Sequence, residues 1–263
     1  MKLGDNIIDP VMIEIFSVKI RWYAFIIVSS ILISIGILYL LLKNDKNIDF
    51  EFYLDYLIIT LPAGVLAARI YYVIFKLDYY LANPAKILAI NEGGLAIHGA
   101  LIMGIAVLYF MCRKRNKNFL KTVDYLVPLT VFSQAMGRWG NFINQEAYGK
   151  IVSENYYNYF PEFIKKQMLI DGHYREATFF YESAANFILF IFLFFYLNSE
   201  RKKDGEVLSL YLIFYSLYRF FIEEKRTDSL LIADFQVAKL LSLILIFIGV
   251  TLIIYVNKFR ADE

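Results

Sequence analysis

The sequence is poor in the residues from which redox, metal and nucleotide sites are built. It has one cysteine, Cys112, so no disulfide can form within the chain. Its two histidines, His98 and His173, are too few and too far apart to indicate a metal centre. Neither a glycine–lysine phosphate loop nor a dinucleotide-binding glycine fingerprint occurs. We therefore expect no metal ion, no cofactor and no nucleic-acid partner.

Charge is also sparse, and long apolar runs take its place. The 263 residues are 59% apolar, 18% aromatic and 20% charged, with a mean hydropathy of +0.51, which is unlike a soluble domain. Stretches long enough to cross a bilayer as helices lie at 22–42, 53–75, 93–112, 121–136, 179–197, 206–222 and 236–256. The sequence therefore predicts an all-α, polytopic membrane helix bundle of about seven transmembrane helices in a single domain, residues 1–263.

The distribution of basic residues predicts the orientation of this bundle. With the N-terminus outside, the inner segments hold 12 Lys or Arg in 34 residues, and the outer segments hold 12 in about 93. The run "RKRNKNFLK" at 113–121 is the strongest inner anchor. Since basic residues concentrate on the cytoplasmic side, we expect the N-terminus outside and the C-terminus inside. The longest loop, 137–178, then forms an outer-face cap.

Several polar residues lie where lipid-facing sequence is expected. The stretch "GRWGNFINQEAYG", residues 137–149, follows the fourth apolar run directly, and Arg69, His98, Glu182 and Arg219 lie within the other runs. A charge at the bilayer centre costs about 2.5 kcal/mol or more, so such residues usually face the bundle interior and indicate a pathway or a site. His98 lies among glycines, which favour close approach by another helix or by a ligand.

The segment "YSLYRFFIEEKR" places several polar residues on one helical face. Tyr215, Arg219, Glu223 and Arg226 follow one another at positions i, i+4, i+8 and i+11. This face is either an internal ladder of ion pairs or part of an anion site. Guanidinium groups bind phosphate through paired, charge-assisted hydrogen bonds. In a site open to lipid, the expected anion is a phospholipid headgroup near the outer leaflet.

Other polar residues of the signature, together with Arg69, complete this prediction. Arg138 and Arg69 add positive charge on the same side, and Asn141 and Asn144 offer amide donors to phosphate oxygens. We expect Glu146 and Glu223 to orient the arginines rather than to face the phosphate.

Motifs along the chain resemble those of the bacterial prolipoprotein diacylglyceryl transferases. The thirteen-residue stretch at 137–149 is similar to the signature of that family. "IRWYAF", "ARIYYVIF", "AIHGAL", "TFFYES" and "YSLYRFFIEEKR" resemble its other conserved segments, in the same order, from about residue 18 to 250. The chain differs at Ala100, where the family has a second glycine, and at Ala177, where it has a proline.

The resemblance implies a reaction. A family member transfers the diacylglyceryl group of phosphatidylglycerol to the lipobox cysteine of a prolipoprotein, forms a thioether and releases glycerol phosphate. The partners implied are phosphatidylglycerol, lipobox-containing prolipoproteins and the lipid bilayer. The location implied is the bacterial plasma membrane, with the active site toward the outer leaflet.

The resemblance also implies roles for individual residues. His98 is implied as the base or as an orienting group, and Arg138 and Arg219 as phosphate ligands with Asn141 beside them. Further positions that match residues important for activity are Tyr23, Glu146 and Gly149, and Gly149 would let the backbone approach the headgroup. The remaining implied members, as substrate-binding or supporting residues, are Arg69, Asn144, Glu182, Glu223 and Arg226.

Two other functions are compatible with the buried charges. A transporter of phospholipids or small molecules would use them as a pathway, and would be expected to carry polar residues through to the inner face. The inner halves of the predicted spans are nearly uncharged, which counts against this alternative. A lipid-binding assembly protein without catalysis would bind the headgroup but turn nothing over.

Overall fold

The computed structural model describes residues 8–16, 18–43, 49–90, 93–200, 202–227, 231–232 and 235–259. The two chain ends whose sides the basic residues predict, 1–7 and 260–263, lie outside these described residues. The longer helices are α1 (Trp22–Leu42), α2 (Phe50–Phe75), α4 (Ile97–Lys114), α5 (Phe119–Asn144), α7 (Thr178–Leu197), α8 (Glu206–Ile222) and α9 (Val237–Phe259). Two short helices, α3 (Leu77–Ala82) and α6 (Glu162–Gln167), connect them.

Within the described residues, five helices are long and apolar enough to cross a bilayer: α1, α2, α4, α7 and α9. Their outward surfaces carry large apolar side chains, such as Ile58 at 70% and Phe247 at 73% exposure. Side chains of this kind are stable against lipid tails but not against water. The chain is therefore a mostly helical, multi-pass membrane protein.

Helix α5 is longer than the apolar pattern predicted. It passes through Pro128 without ending and continues beyond residue 136 to Asn144. Its last eight residues hold most of the polar signature, so Arg138, Asn141 and Asn144 lie on a helix rather than in a loop. The helix ends where Gln145 takes a left-handed conformation, φ 54°.

The chain is mostly helical, and within the described residues it also contains three small antiparallel hairpins that were not predicted from the sequence. They pair β1 (Val11–Ile15) with β2 (Val18–Arg21), β3 (Leu169–Ile170) with β4 (His173–Tyr174), and β5 (Leu231–Ile232) with β6 (Phe235–Gln236). The β3–β4 turn is Asp171–Gly172, with φ 53° and 77°. Asp-Gly is the dipeptide that favours this two-residue hairpin turn.

The chain divides into two compact units, residues 1–38 with 123–263, and residues 39–122. In the second unit, α2 and α4 approach closely through small residues. A Cβ placed on Gly99 would collide with the Ala67 carbonyl, and one on Gly64 would touch Ala100. Gly99, which follows His98, therefore allows close packing of another helix, which is one of the two interpretations that the sequence left open.

In the first unit, the start of α8 is held by a buried carboxylate from α5. Asp124 is fully buried and accepts hydrogen bonds from the backbone N–H of Gly205 (2.7 Å) and Leu208 (2.9 Å). Lys202 lies 3.8 Å away with opposite charge. Asp124 thus acts as an N-terminal cap for α8, since a helix leaves its first N–H groups without partners.

Residues 150–178 form a small folded region with its own core. Tyr157, Ile164, Met168 and Ile170 are buried against Phe142, near the end of α5, together with Ala177 and Phe179. The Tyr157 hydroxyl donates to the Arg175 carbonyl, and the Tyr156 and Tyr181 hydroxyls are hydrogen-bonded to each other. Burial raises the pKa of both Tyr156 and Tyr157, so these phenols stay protonated.

Candidate functional site

A buried carboxylate draws two arginines together in the first unit. Glu182, whose side chain is 1% exposed, extends from the first turns of α7. Its Oε2 lies 2.9 Å from Nη2 of Arg138 on α5, and its Oε1 accepts a 3.4 Å hydrogen bond from Nη1 of Arg226. Both arginines keep some exposure, 19% and 11%. The negative charge of Glu182 fixes two guanidinium groups around one point and offsets part of their mutual repulsion.

A second ion pair lies at the end of α8. Nη2 of Arg219 is 2.6 Å from Oε2 of Glu223, one helical turn further along, as the spacing predicted. The predicted face does not continue to Arg226, because α8 ends at Ile222 and a short 3₁₀ turn, Glu223–Lys225, follows. Arg226 reaches Glu182 from extended backbone instead. Within the described residues, Nη1 of Arg219 is buried and has no hydrogen-bond partner.

An open cleft of about 640 Å³ lies beside Arg138 and Arg226. The other residues that line it are Asn141, Gln145, Glu146, Ala147, Tyr148 and Thr227. Two of the lining residues therefore carry a positive charge, and most of the others present amide, carboxylate or phenol groups. A cleft with positively charged ends of arginines can hold an anion such as phosphate.

The turn after α5 shapes one wall of this cleft. Gln145 and Ala147 both have positive φ, 54° and 55°, which is uncommon for residues other than glycine. The Gln145 side chain donates to the Gln167 carbonyl at 2.6 Å, and this bond ties the turn to the 150–178 region. Glu146 is exposed at the tip and accepts a 3.3 Å bond from Nδ2 of Asn144. Glu182, rather than the expected Glu146, is the ion-pair partner of Arg138.

Two signature glycines allow close contacts within the first unit. A Cβ on Gly140 would collide with the ring of Tyr23, so Tyr23 at the start of α1 packs directly on the signature helix. A Cβ on Gly149 would meet Glu176 and Thr178 at 2.8 and 2.9 Å. The backbone N–H of Gly149 also donates to the Glu176 carbonyl at 3.0 Å. On the side of Gly149 where a Cβ would lie, the space is therefore filled by residues 176–178 of this chain.

Arg69, in the second unit, uses its whole guanidinium on backbone carbonyls. Its five hydrogen bonds run to the carbonyls of Lys86, Ile87, Ala89, Gly93 and Gly94, at 2.5 to 3.3 Å. A guanidinium has five N–H groups, so none is left for a phosphate. Arg69 is also 6% exposed. In this structure, Arg69 therefore holds the 84–94 loop closed, and its expected contact with the headgroup is not among its bonds.

His98 lies in the first turn of α4, also in the second unit. Its imidazole is exposed, and its ring stacks near Tyr71 with a centroid distance of 6.0 Å. An exposed imidazole close to the start of a helix is accessible to a molecule that approaches the protein.

The sequence did not predict two residues that line the cleft, nor an ion pair outside its lining. Tyr148 and Gln145 line the cleft and lie inside the signature at 137–149, but they were not among the predicted site residues. Lys225 ion-pairs with Glu176 at 2.5 Å, and this bond raises the pKa of Lys225 above its ordinary value of 10.5. The pair could not be found from spacing, because its members are far apart in the chain.

Comparisons with known proteins show the family of this chain. The sequence model of the prolipoprotein diacylglyceryl transferase family matches residues 10–255. A phosphatidylglycerol–prolipoprotein diacylglyceryl transferase of Clostridium novyi is 47% identical over 251 residues, which cover 95% of this chain and 96% of the relative. Proteins with the same name from Streptococcus agalactiae serotype V (45%, covering 94% and 96%) and Listeria innocua (43%, covering 96% and 91%) are also similar. The chain belongs to the prolipoprotein diacylglyceryl transferase family.

Proposed function

We propose that this protein transfers the sn-1,2-diacylglyceryl group of phosphatidylglycerol to the thiol of a prolipoprotein lipobox cysteine. The sulfur forms a thioether to the glycerol C3 carbon, the C3–O bond to phosphate breaks, and glycerol phosphate leaves with the electron pair. The thiol proton passes to a base or to solvent. This is the first step of lipoprotein maturation, and it matches the names of the relatives.

The observation that carries the proposal is the cationic cleft. Arg138 and Arg226 line it, and Glu182 holds both guanidinium groups in place. Charge builds up on the leaving phosphate as the C–O bond breaks, so fixed positive groups stabilise the transition state more than the ground state. The unpaired, buried Nη1 of Arg219 is a further donor for the phosphate.

We assign the remaining residues as follows. Arg138 and Arg219 bind the phosphate, with Asn141 beside them, while Glu182, Glu223 and Arg226 support them. Asn144 orients Glu146 at the rim of the cleft, and Tyr23 packs on Gly140 and holds the signature helix. Gly149 lets residues 176–178 approach the turn, and Arg69 keeps the 84–94 loop in place.

For the proton transfer, we propose His98. The thiolate is the nucleophile, and a free cysteine has a pKa near 8.5, so a base that accepts the thiol proton raises the reactive fraction. An imidazole is suited to this because its ordinary pKa lies near neutrality. The nucleophile comes from the substrate, so the protein's own Cys112, which is 1% exposed, has no part in the reaction.

We further propose seven transmembrane helices with the N-terminus outside and the C-terminus inside. Helices α5 and α8 would join the five apolar ones, with their polar residues toward the bundle interior. Residues 137–178 would then form an outer cap in a single functional domain, and the cleft would open toward the outer leaflet of the bacterial plasma membrane. This arrangement brings the site to the side where exported prolipoproteins emerge.

The direct test supplies purified protein with phosphatidylglycerol and a lipobox peptide. We expect a thioether-linked diacylglyceryl peptide by mass spectrometry, and no product from a peptide with serine in place of cysteine. Membrane-inserted Arg138→Ala protein should give no product. Lipid binding without any product would support the assembly protein instead. Headgroup-dependent flux across liposomes without product would support the transporter, which the comparisons do not favour.

A further inference from the structure

Deeper in the first unit than Arg138, Arg219 and Arg226 lies a second layer of polar side chains. On α5, Gln134 lies one helical turn deeper than Arg138, and on α7, Asn186 lies one turn deeper than Glu182. On α8, Tyr215 and Tyr211 lie one and two turns deeper than Arg219. All three helices therefore repeat polar chemistry about 5.4 Å, the pitch of a helix, further into the apolar region.

Hydrogen bonds join this layer across the helices. Nε2 of Gln134 donates to the Tyr211 hydroxyl at 3.0 Å, and the Tyr218 hydroxyl donates to Oδ1 of Asn186. The rings of Tyr211 and Tyr215 lie 5.1 Å apart, and those of Tyr215 and Tyr218 lie 5.2 Å apart. The layer is thus a connected polar patch rather than a set of isolated side chains.

The layer keeps donors that the protein does not use. Asn186 is fully buried, and its Nδ2 has no partner among the described residues. The Tyr211 hydroxyl already accepts from Gln134, so its own O–H remains to be donated. In this arrangement Oε1 of Gln134 is a buried acceptor without a partner among the described residues. If the Gln134 amide turned over, Tyr211 would donate to this oxygen, and an amide N–H would be the unused donor instead. Buried donors without acceptors cost about 1–3 kcal/mol each, so a ligand with acceptor oxygens is expected here.

We propose that this layer binds the ester carbonyl oxygens of the lipid whose phosphate the arginines hold. In a glycerophospholipid, the ester carbonyls are separated from the phosphate by the glycerol carbons, a distance comparable with one helical turn. Each carbonyl is an acceptor without a proton of its own, which matches the free N–H and O–H groups of Asn186 and Tyr211. The layer therefore selects diester over diether lipids. This inference rests on the transferase function proposed above.

The test compares two phosphatidylglycerols with identical headgroups and chain lengths, one diester-linked and one diether-linked. The ester carbonyls take no part in the bonds that form and break, so the chemistry itself does not distinguish the two lipids. Each lost hydrogen bond between neutral groups lowers kcat/KM by about 2- to 10-fold. The diether lipid loses both hydrogen bonds, so we expect the wild-type kcat/KM to be about tenfold lower for it than for the diester lipid.

Variants separate a binding role from a structural one. Tyr211→Phe should lower kcat/KM for the diester lipid and leave the diether lipid unchanged, so the ratio between the lipids falls. Asn186→Leu should lower the same ratio, even if it also reduces the folded fraction, because the ratio does not depend on enzyme concentration. Tyr109→Phe, on the exposed side of α4, removes the same hydroxyl elsewhere and should change neither lipid.

Two results would overturn the inference. One is equal use of both lipids by the wild-type protein, and the other is a Tyr211→Phe variant that slows both lipids by the same factor. If neither lipid gives product, the transferase function fails, and native mass spectrometry of the detergent-solubilised protein then decides on the layer. A diester preference in binding that Tyr211→Phe removes would still support it, and equal binding would refute it.

Discussion

Neutralising Glu182 is the most informative single change, because this one buried carboxylate contacts two arginines. Glu182→Gln keeps the size of the side chain and removes its charge. Arg138 and Arg226, each less than one-fifth exposed, would then both lose the negative charge of Glu182. Removing one partner of a buried ion pair costs about 3–5 kcal/mol. Since both arginines retain some solvent, we expect the lower end of this range, about 3 kcal/mol, in the free energy of unfolding.

The same change should act on catalysis through the position of Arg138. A phosphate ligand that is no longer held in place loses transition-state stabilisation comparable with the loss of one fixed donor, roughly a 100-fold fall in kcat/KM. Glu182→Asp keeps the charge on a shorter side chain and should recover part of this loss. The assay is transfer from phosphatidylglycerol to a lipobox peptide, normalised to correctly folded protein.

Glu206→Gln is the matched control for this experiment. Glu206 is also buried in the first unit, at 5% exposure, and accepts hydrogen bonds from the Tyr196 hydroxyl (2.7 Å) and the Lys203 N–H (3.0 Å). It lies at the opposite end of α8 from Arg219, so its loss should lower stability while kcat/KM stays close to wild type. If Glu182→Gln keeps the wild-type kcat/KM, or if both variants lose kcat/KM by the same factor, then Glu182 does not position Arg138 for catalysis.

Three further outcomes follow from the same structure. Arg138→Lys should raise KM and lower kcat roughly 10- to 100-fold in the transfer assay, since an ammonium cannot make the paired contact of a guanidinium; unchanged kinetics would contradict its role as a phosphate ligand. Gly140→Ala should push the ring of Tyr23 off the signature helix and reduce activity, with Gly36→Ala, where nothing lies within 4 Å, as control. The hydrogen bond to Glu176 raises the pKa of Lys225 above 10.5, so the pair contributes fully to stability below pH 10.5 and loses this contribution as the pH rises through the raised pKa. Lys225→Met should therefore have a lower melting temperature than the wild type at pH 7. The two melting temperatures should become equal at strongly alkaline pH.

The sequence predicted well where one local property decides the structure. Apolar runs of sufficient length predicted the positions of α1, α2, α4, α7 and α9, because a helix satisfies its own backbone hydrogen bonds in lipid. The i, i+4 spacing predicted the Arg219–Glu223 pair, since both residues lie on one helix. The Asp-Gly dipeptide at 171–172 contained the signal for the β3–β4 hairpin, but it went unused in the prediction of an all-α fold.

The contacts of several predicted site residues differ from those expected where distant segments decide which atoms meet. Arg69 has the charge of a phosphate ligand, yet the 84–94 loop folds over it and occupies every N–H. Gly149 was expected to admit a headgroup, but residues 176–178 fill that space. Glu146 was expected to orient an arginine, whereas the ion-pair partner of Arg138 is Glu182, which lies on another helix.

By itself, the sequence determined that this chain spans a membrane as helices and that arginines, amides and carboxylates are carried on those helices. It also determined the family, through a signature whose residues stand close together in the chain. Only the tertiary structure decided which carboxylate holds which arginine and which guanidinium nitrogens remain free. The physical reason is that hydropathy and helical spacing act over a few neighbouring residues, while the neutralisation of a buried charge depends on groups that folding brings together from helices far apart in the chain.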